Sequence, residues 1–272
     1  MRLLHLDGIV FSQAEMLVLM NALQPDDLIG IDSDALIPAD RETHQALILA
    51  GMQQLIDRDL LVIKDGVHVL NRDLLAMAGV VAYPQIVTIL LKDVPEVGQQ
   101  QFTYYMSDQL IVEHTMPAAQ QYRLATIPDL RAQMERMVAI LPVQQQVSRP
   151  GYDFTVPQDI FFRARERVLA GELGQADDAL IAAGVGAESS QALLQAMAQP
   201  LFSGTVAYMA AEPPRVVDAR NMAVLQGQDS AWAVFPVSAG QFQVWTVAGD
   251  TLLERLLDEW QELAASRVEG GL

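Results

Sequence analysis

The segment Ala119-Gln120-Gln121-Tyr122-Arg123-Leu124-Ala125-Thr126 recurs 120 residues on as Ala239-Gly240-Gln241-Phe242-Gln243-Val244-Trp245-Thr246, without a gap. The two share Ala, Gln, an aromatic and Thr in register. Working outward, the same order of elements stands on both sides of each copy. Ala82-Tyr83-Pro84 ends an apolar helical run, and Ala198-Gln199-Pro200 ends another. Proline disfavours helix in the residue before it, so both runs stop there. An apolar strand follows each break, Gln85–Leu91 and Ser203–Ala210. Each strand leads into a loop of acid, proline and valine, Asp93–Val97 and Glu212–Val217.

More strands follow in parallel, Phe102–Met106 and Leu110–Thr115 in one half, Asn221–Leu225 and Ala231–Val237 in the other. A helix closes each half, Leu130–Leu141 and Thr251–Glu262. The identities are sparse, and the repeated order of elements is the stronger sign of duplication. The polar, proline-flanked stretch Pro142–Pro150 reads as the linker between halves 1–141 and 151–272. Strands in sequence with short connections pair antiparallel. The expected fold is therefore α+β: two similar α-β-α halves related by a pseudo-two-fold, with a mainly antiparallel sheet flanked by helices. Helices are expected on one face. Each half would expose an edge strand, so the two sheets are expected to join.

The composition narrows the function. Of 272 residues, 51% are apolar and 19% charged, enough to bury a core and to exclude general disorder. Lys+Arg is 17 and Asp+Glu 34, a net charge of −17 that repels phosphate backbones. There is no cysteine, so thiolate nucleophiles, thiolate metal sites and disulfides are excluded. Met1–Asp7 has no apolar core of a signal peptide, which predicts a cytoplasmic protein. The uncharged stretches Leu74–Leu91 and Ser189–Ala211 are each broken by proline, and read as helix, break and strand rather than membrane spans.

The N-terminal part has a winged-helix look. Ser12 and Glu15 form a capping-box pattern for a helix through Leu23. Arg41–Arg58 reads as a second helix, and Lys64-Asp65-Gly66 as the turn of a hairpin. On the second helix Arg41, Glu42, His44, Asp57 and Arg58 nearly cancel in charge, so a packing or protein-contact module is expected in place of a DNA reader.

No candidate chemical site emerges. His5, His44, His68 and His114 lack the spacing of a local zinc motif. Glu113 and His114 are neighbours in a strand and face opposite sides, so they cannot converge on one ligand without a bulge. These histidines read as surface or satisfied groups. Asp26, Asp27, Asp32, Asp34 and Asp40 lack the pattern of a calcium loop. Gly184-Val185-Gly186 follows a helix and marks helix boundaries, not a dinucleotide turn. Asp159 and Arg163 are spaced as a helical ion pair. Met16, Met20, Met134 and Met137 read as core, as does Trp245, while Trp260 reads as partly exposed. The sequence thus predicts no catalytic, cofactor-binding or metal-ligating residue and no cofactor.

The organisation as a whole resembles the EspG-type chaperones of type VII secretion. The resemblance lies in the two α-β-α copies, the hairpin-bearing N-terminal part, and Leu55-Ile56-Asp57-Arg58-Asp59-Leu60-Leu61 running from a helix end into the hairpin. No motif of that family can be carried over residue by residue. The resemblance implies a pseudo-two-fold fold with a central antiparallel sheet. It also implies binding of the helical tip of secreted partners, which it keeps in solution. The expected function is a non-enzymatic, cytoplasmic chaperone or adaptor for a helical partner, with Asp93–Val97 and Glu212–Val217 as contact loops. It has a protein partner, no nucleic acid and no membrane, and self-association is left open. The alternatives are a winged-helix regulator and an enzyme whose site is scattered along the chain.

Overall fold

The computed structural model describes residues 8–108, 110–143, 151–212, 215–238 and 240–270. The signal-peptide reading, His5, most of the linker and Pro213-Pro214 lie outside them. The chain opens with β1 (Ile9–Ser12), α1 (Gln13–Leu23), the short α2 (Ser33–Leu36) and α3 (Arg41–Asp57). A hairpin, β2 (Leu61–Lys64) and β3 (Val67–Leu70), leads into α4 (Arg72–Ala82). Then come β4 (Ile86–Val94), β5 (Gly98–Ser107), β6 (Leu110–Ala118), β7 (Gln121–Ile127) and α5 (Leu130–Ile140). The second half runs β8 (Asp153–Pro157), α6 (Gln158–Leu169), α7 (Leu173–Ala182), α8 (Ala187–Ala198), β9 (Phe202–Glu212), β10 (Arg215–Gln226), β11 (Ala231–Ser238), β12 (Gln241–Val247) and α9 (Gly249–Gly270).

Ten strands form one antiparallel sheet, in the order β1-β7-β6-β5-β4-β9-β10-β11-β12-β8. The expected α+β class holds. The halves meet at the centre, where β4 pairs β9 from Ile86↔Ala210 to Asp93↔Ser203. This pairing covers the edge that each half would otherwise expose. The hairpin β2–β3 stands apart as its own two-stranded sheet.

Helices cover both faces, which corrects the expectation of one. The reason is visible in β4, where Ile86, Val87, Thr88 and Leu90 are all buried on both sides of the pleat. Ile86 and Leu90 enter a core under α5 and α9 that also takes Val206, Tyr208, Met222 and Leu256 from the second half. Val87, Tyr105, Val112 and Leu124 face the other way, into a core with α1 and α4. A third core joins Val156, Trp232 and Val244 to α6, α7 and α8.

Local signals explain the element ends. Ser12 caps α1 by accepting from the Glu15 amide, and Glu15 reaches back to the Ser12 amide. Asp32 and Asp40 cap α2 and α3, so the acidic N-terminal region does helix-capping work. Asp65 (φ 52°) and Gly66 (φ 77°) form the left-handed pair that a tight hairpin requires. Gly184, at φ 95°, ends α7 and Gly186 caps α8, as read from the sequence. Met16, Met20, Met134 and Met137 are buried as expected. Trp245 is only partly buried, packed edge-on to Phe235 at 4.4 Å between ring centres.

Both halves place a proline at a break in register. Pro117 lies within the shift between Thr115 and Ala118 on β6, and Pro236 bounds the shift to Ser238 on β11. Proline cannot donate to a ladder, so it collects at such irregularities. Near both, the neighbouring strand is left unpaired on one side. β5 meets β6 only from Phe102↔Thr115 inward, and β10 meets β11 only over Ala223–Gln226.

Candidate functional site

Two features on the described surface combine shape with unmet chemistry. The first is an apolar groove between α7 and α8. Leu173, Asp177 and Ile181 recur at four-residue steps along α7, which places them on one stripe. Gln191, Leu194, Gln195 and Ala198 make the facing stripe of α8. The groove of about 330 Å³ is lined by Leu173, Gly174, Asp177, Leu194 and Ala198, among others. Leu173, in the lining, is 45% exposed, and Ile181, further along the same stripe and outside the lining, 42%. Such side chains at helical spacing, outside the core, are what a partner's apolar helix would cover. Asp177 carries the only charge in the lining, and its Oδ1 is buried without a hydrogen-bond partner. An unpaired buried carboxylate oxygen costs about 1–3 kcal/mol or more, so the groove favours an occupant that brings a donor there.

The second feature is a cleft of about 610 Å³ where β5 and β6 part. Gln99, Gln100 and Gln101 line one side and Thr115, Met116 and Pro117 the other. On one face of the sheet Glu113 is fully buried. Its Oε1 accepts from Arg123 at 3.0 Å and from Arg136 at 2.8 Å, and the Arg136 Nε also meets Oε2. Its charge is therefore satisfied. Tyr104 sits near it, and burial together with the Glu113 charge raises its hydroxyl pKa well above the usual value. On the opposite face His114 is 3% exposed, and neither ring nitrogen has a hydrogen-bond partner. It stacks on Tyr122 at 5.8 Å between centres. Burial pushes its pKa down to about 4, which keeps the ring neutral. The loop before α2 crosses the cleft, where Gln101 Nε2 donates to the Gly30 carbonyl at 2.8 Å. Gly30 is needed there: it has φ 79°, and a Cβ would stand 3.0 Å from the Thr103 methyl.

His114 corrects the reading of the histidines as surface or satisfied groups. Glu113 and His114 do point to opposite faces, yet both border one cleft because the strands separate beside them and β6 bulges at Pro117. His44 is half-buried on α3 and His68 exposed on β3. Asp159 pairs with Arg163 at 2.5 Å, as its spacing predicted. Arg58, itself exposed, pairs with buried Glu15 at 2.6 Å and lies over the Phe11 ring, so a main positive group of the winged-helix-like part is held by a carboxylate of the same chain. Asp93–Val97 and the described residues of the second loop, Glu212 and 215–217, lie at opposite ends of the central strands, because β4 and β9 run antiparallel. At roughly 3.4 Å per residue they are about 25–30 Å apart and do not share one patch. The groove was missed in the sequence, because it exists only where α7 and α8 face each other.

Among the described residues no group of three or more His, Asp or Glu is placed to hold a metal ion. No helix among them is long and apolar enough to cross a membrane. By sequence, neither a protein family nor a curated protein matches the chain. By structure, it is similar to the type VII secretion system chaperone EspG5 of Mycobacterium tuberculosis, solved in complex with a PE25-PPE41 dimer. Identity is 12%, the match covers 90% of this chain and 93% of that one, and the TM-score is 0.66, so the likeness is one of fold: this chain carries the EspG-type fold.

Proposed function

We propose that this protein is a non-enzymatic, cytoplasmic chaperone or adaptor that holds a helical segment of another protein in the α7–α8 groove. The observation that carries the reading is the fold likeness, over 90% of the chain, to a chaperone captured with a protein dimer. The groove supplies the local chemistry. α8 spans 12 residues, about 18 Å, which is room for roughly three turns of a partner helix. Leu173 offers apolar contact, and Asp177 asks for a Lys or Arg on the partner. A net charge of −17 also favours a basic helix. The scaffold is read as an ancestral duplication of halves 1–141 and 151–272. The matching strand succession from either edge of the sheet supports this.

The test is co-purification from the native host with the tagged full chain and with Ala198→Arg, which fills an exposed groove position. A helical protein recovered by the wild type and lost by the variant supports the reading. Equal recovery by both overturns it.

A further inference from the structure

The groove between α7 and α8 has two walls of different chemistry. On the α7 side stand Leu173, Asp177 and, further along the stripe, Ile181. The α8 side is a row of amides. Gln191 and Gln195 lie one turn apart, about 6 Å along the axis. The N–H of Gln199, the C-cap, bonds to the Gln195 carbonyl, so its side chain stands one step further on. All three glutamines line the groove and are exposed. Of the apolar residues in this wall, Leu194 is buried and Ala198 is small.

Gln101 and Gln243, which line other clefts, are tied to their own chain, the first to the Gly30 carbonyl and the second to the Asp153 carboxylate, each at 2.8 Å. Among the described residues no such bond engages the side chains of Gln191, Gln195 and Gln199. In the free protein water serves these amides. A partner that excludes the water must serve them in its place, because a buried amide without a hydrogen-bond partner opposes binding. Each amide carries both a donor and an acceptor, so its best match is a neutral side chain that carries both. Glu188, the one charged residue of α8, lies in the first turn and outside the lining, so no charge calls on that side of the partner.

We propose, on the reading that the groove is a partner's seat, that its occupant is a helix with two stripes. One stripe places apolar, basic and apolar side chains at four-residue steps against Leu173, Asp177 and Ile181. The stripe beside it places neutral hydrogen-bonding residues, serine, threonine, asparagine or glutamine, against Gln191, Gln195 and Gln199. Two helices lying side by side share one pitch, so one partner residue per turn meets each amide. The apolar and basic contacts supply most of the affinity, and the amide row supplies selection. A site built to hydrogen-bond rejects an occupant that lacks the bond more sharply than an apolar site rejects a misfit. The groove thereby turns away the wholly apolar helices that a hydrophobic seat would collect.

The test uses the full chain and two capped, fluorescently labelled fifteen-residue peptides on an alanine background. Both carry leucine, lysine and leucine at their fourth, eighth and twelfth positions, a pattern that reads the same in either direction of entry. At the fifth, ninth and thirteenth positions the first peptide has glutamine and the second leucine. In anisotropy titrations the wild type should bind the glutamine peptide at least fivefold more tightly than the leucine peptide. The double variant Gln191→Leu with Gln195→Leu, changed only at exposed positions, should reverse that order, and Ala198→Arg should weaken both peptides. Equal affinities, or a wild-type preference for leucine, overturn the two-stripe occupant and leave the groove reading standing so long as Ala198→Arg abolishes the binding. A preference for glutamine that survives in the double variant overturns it as well. Binding of neither peptide, or binding indifferent to Ala198→Arg, counts against the groove itself, and the two-stripe occupant falls with it.

Discussion

At the scale of single residues, the most informative side chain is His114. Its ring is buried, neutral and without hydrogen-bond partners, so the folded chain resists protonating it while the unfolded chain does not. The folded pKa of about 4 lies below the ordinary 6.5, so between those values the unfolded state binds more protons. The contribution of His114 to stability is complete above about pH 6.5 and is lost as pH falls toward 4. A shift of that size corresponds to roughly 3 kcal/mol. Denaturant midpoints of the wild type should drop more steeply across this window than those of His114→Phe; parallel curves would show that the ring is not held neutral. The strand position of His114 and its opposition to Glu113 were legible in the sequence. Its burial without partners was not, because it depends on where Tyr122 and the parting of β5 from β6 fall, and neither leaves a local mark.

At the scale of elements, short-range chemistry was the readable part. The Ser12–Glu15 capping box, the Lys64-Asp65-Gly66 turn and the helix breaks before Pro84 and Pro200 act within a few residues, so the sequence displays them directly. The four-residue α2 and the stripe on α7 were less visible: α2 is too short for a periodic pattern, and the α7 stripe stands out only once α8 faces it. The packing of α1 on α3 illustrates the same limit. Gly51 looks like a weak point in a helix, yet a Cβ there would stand 2.1 Å from the Ala14 carbonyl oxygen. Gly51→Ala gains about 1 kcal/mol of helix propensity, but must push two helices apart. The expected balance is a net loss of about 2 kcal/mol, read as a lower midpoint in chemical denaturation. A gain in stability would mean that the two helices are not closely packed at this point.

At the scale of the whole molecule, the joined sheet is the governing feature. The core under α5 and α9 draws Ile86, Leu90 and Met137 from the first half and Val206, Tyr208 and Leu256 from the second. Tyr208 also donates to the Leu256 carbonyl at 3.2 Å, tying the central strand to α9. Neither half can unfold without exposing the other's share, so calorimetry should show one cooperative transition across both halves. Two resolved transitions would mean that the β4–β9 seam is weaker than its eight paired positions suggest. The α+β class and the antiparallel pairing of successive strands followed from the repeated succession of elements, whereas the edge strands β1 and β8 left no such sign. The placement of helices on both faces did not, because deciding it required knowing that the central strands are buried on both sides.

The proposed function also belongs to this scale, since the proposal draws on a fold similar to that of a chaperone and on a groove formed by two helices. The decisive measurement is calorimetric titration of the helical partner recovered from the host into the wild type and into Asp177→Lys. A partner helix that presents a basic residue to the unpaired Asp177 oxygen should bind at least thirtyfold more weakly to the variant, about 2 kcal/mol, with the fold intact by circular dichroism. Equal affinities for the two proteins would contradict the account.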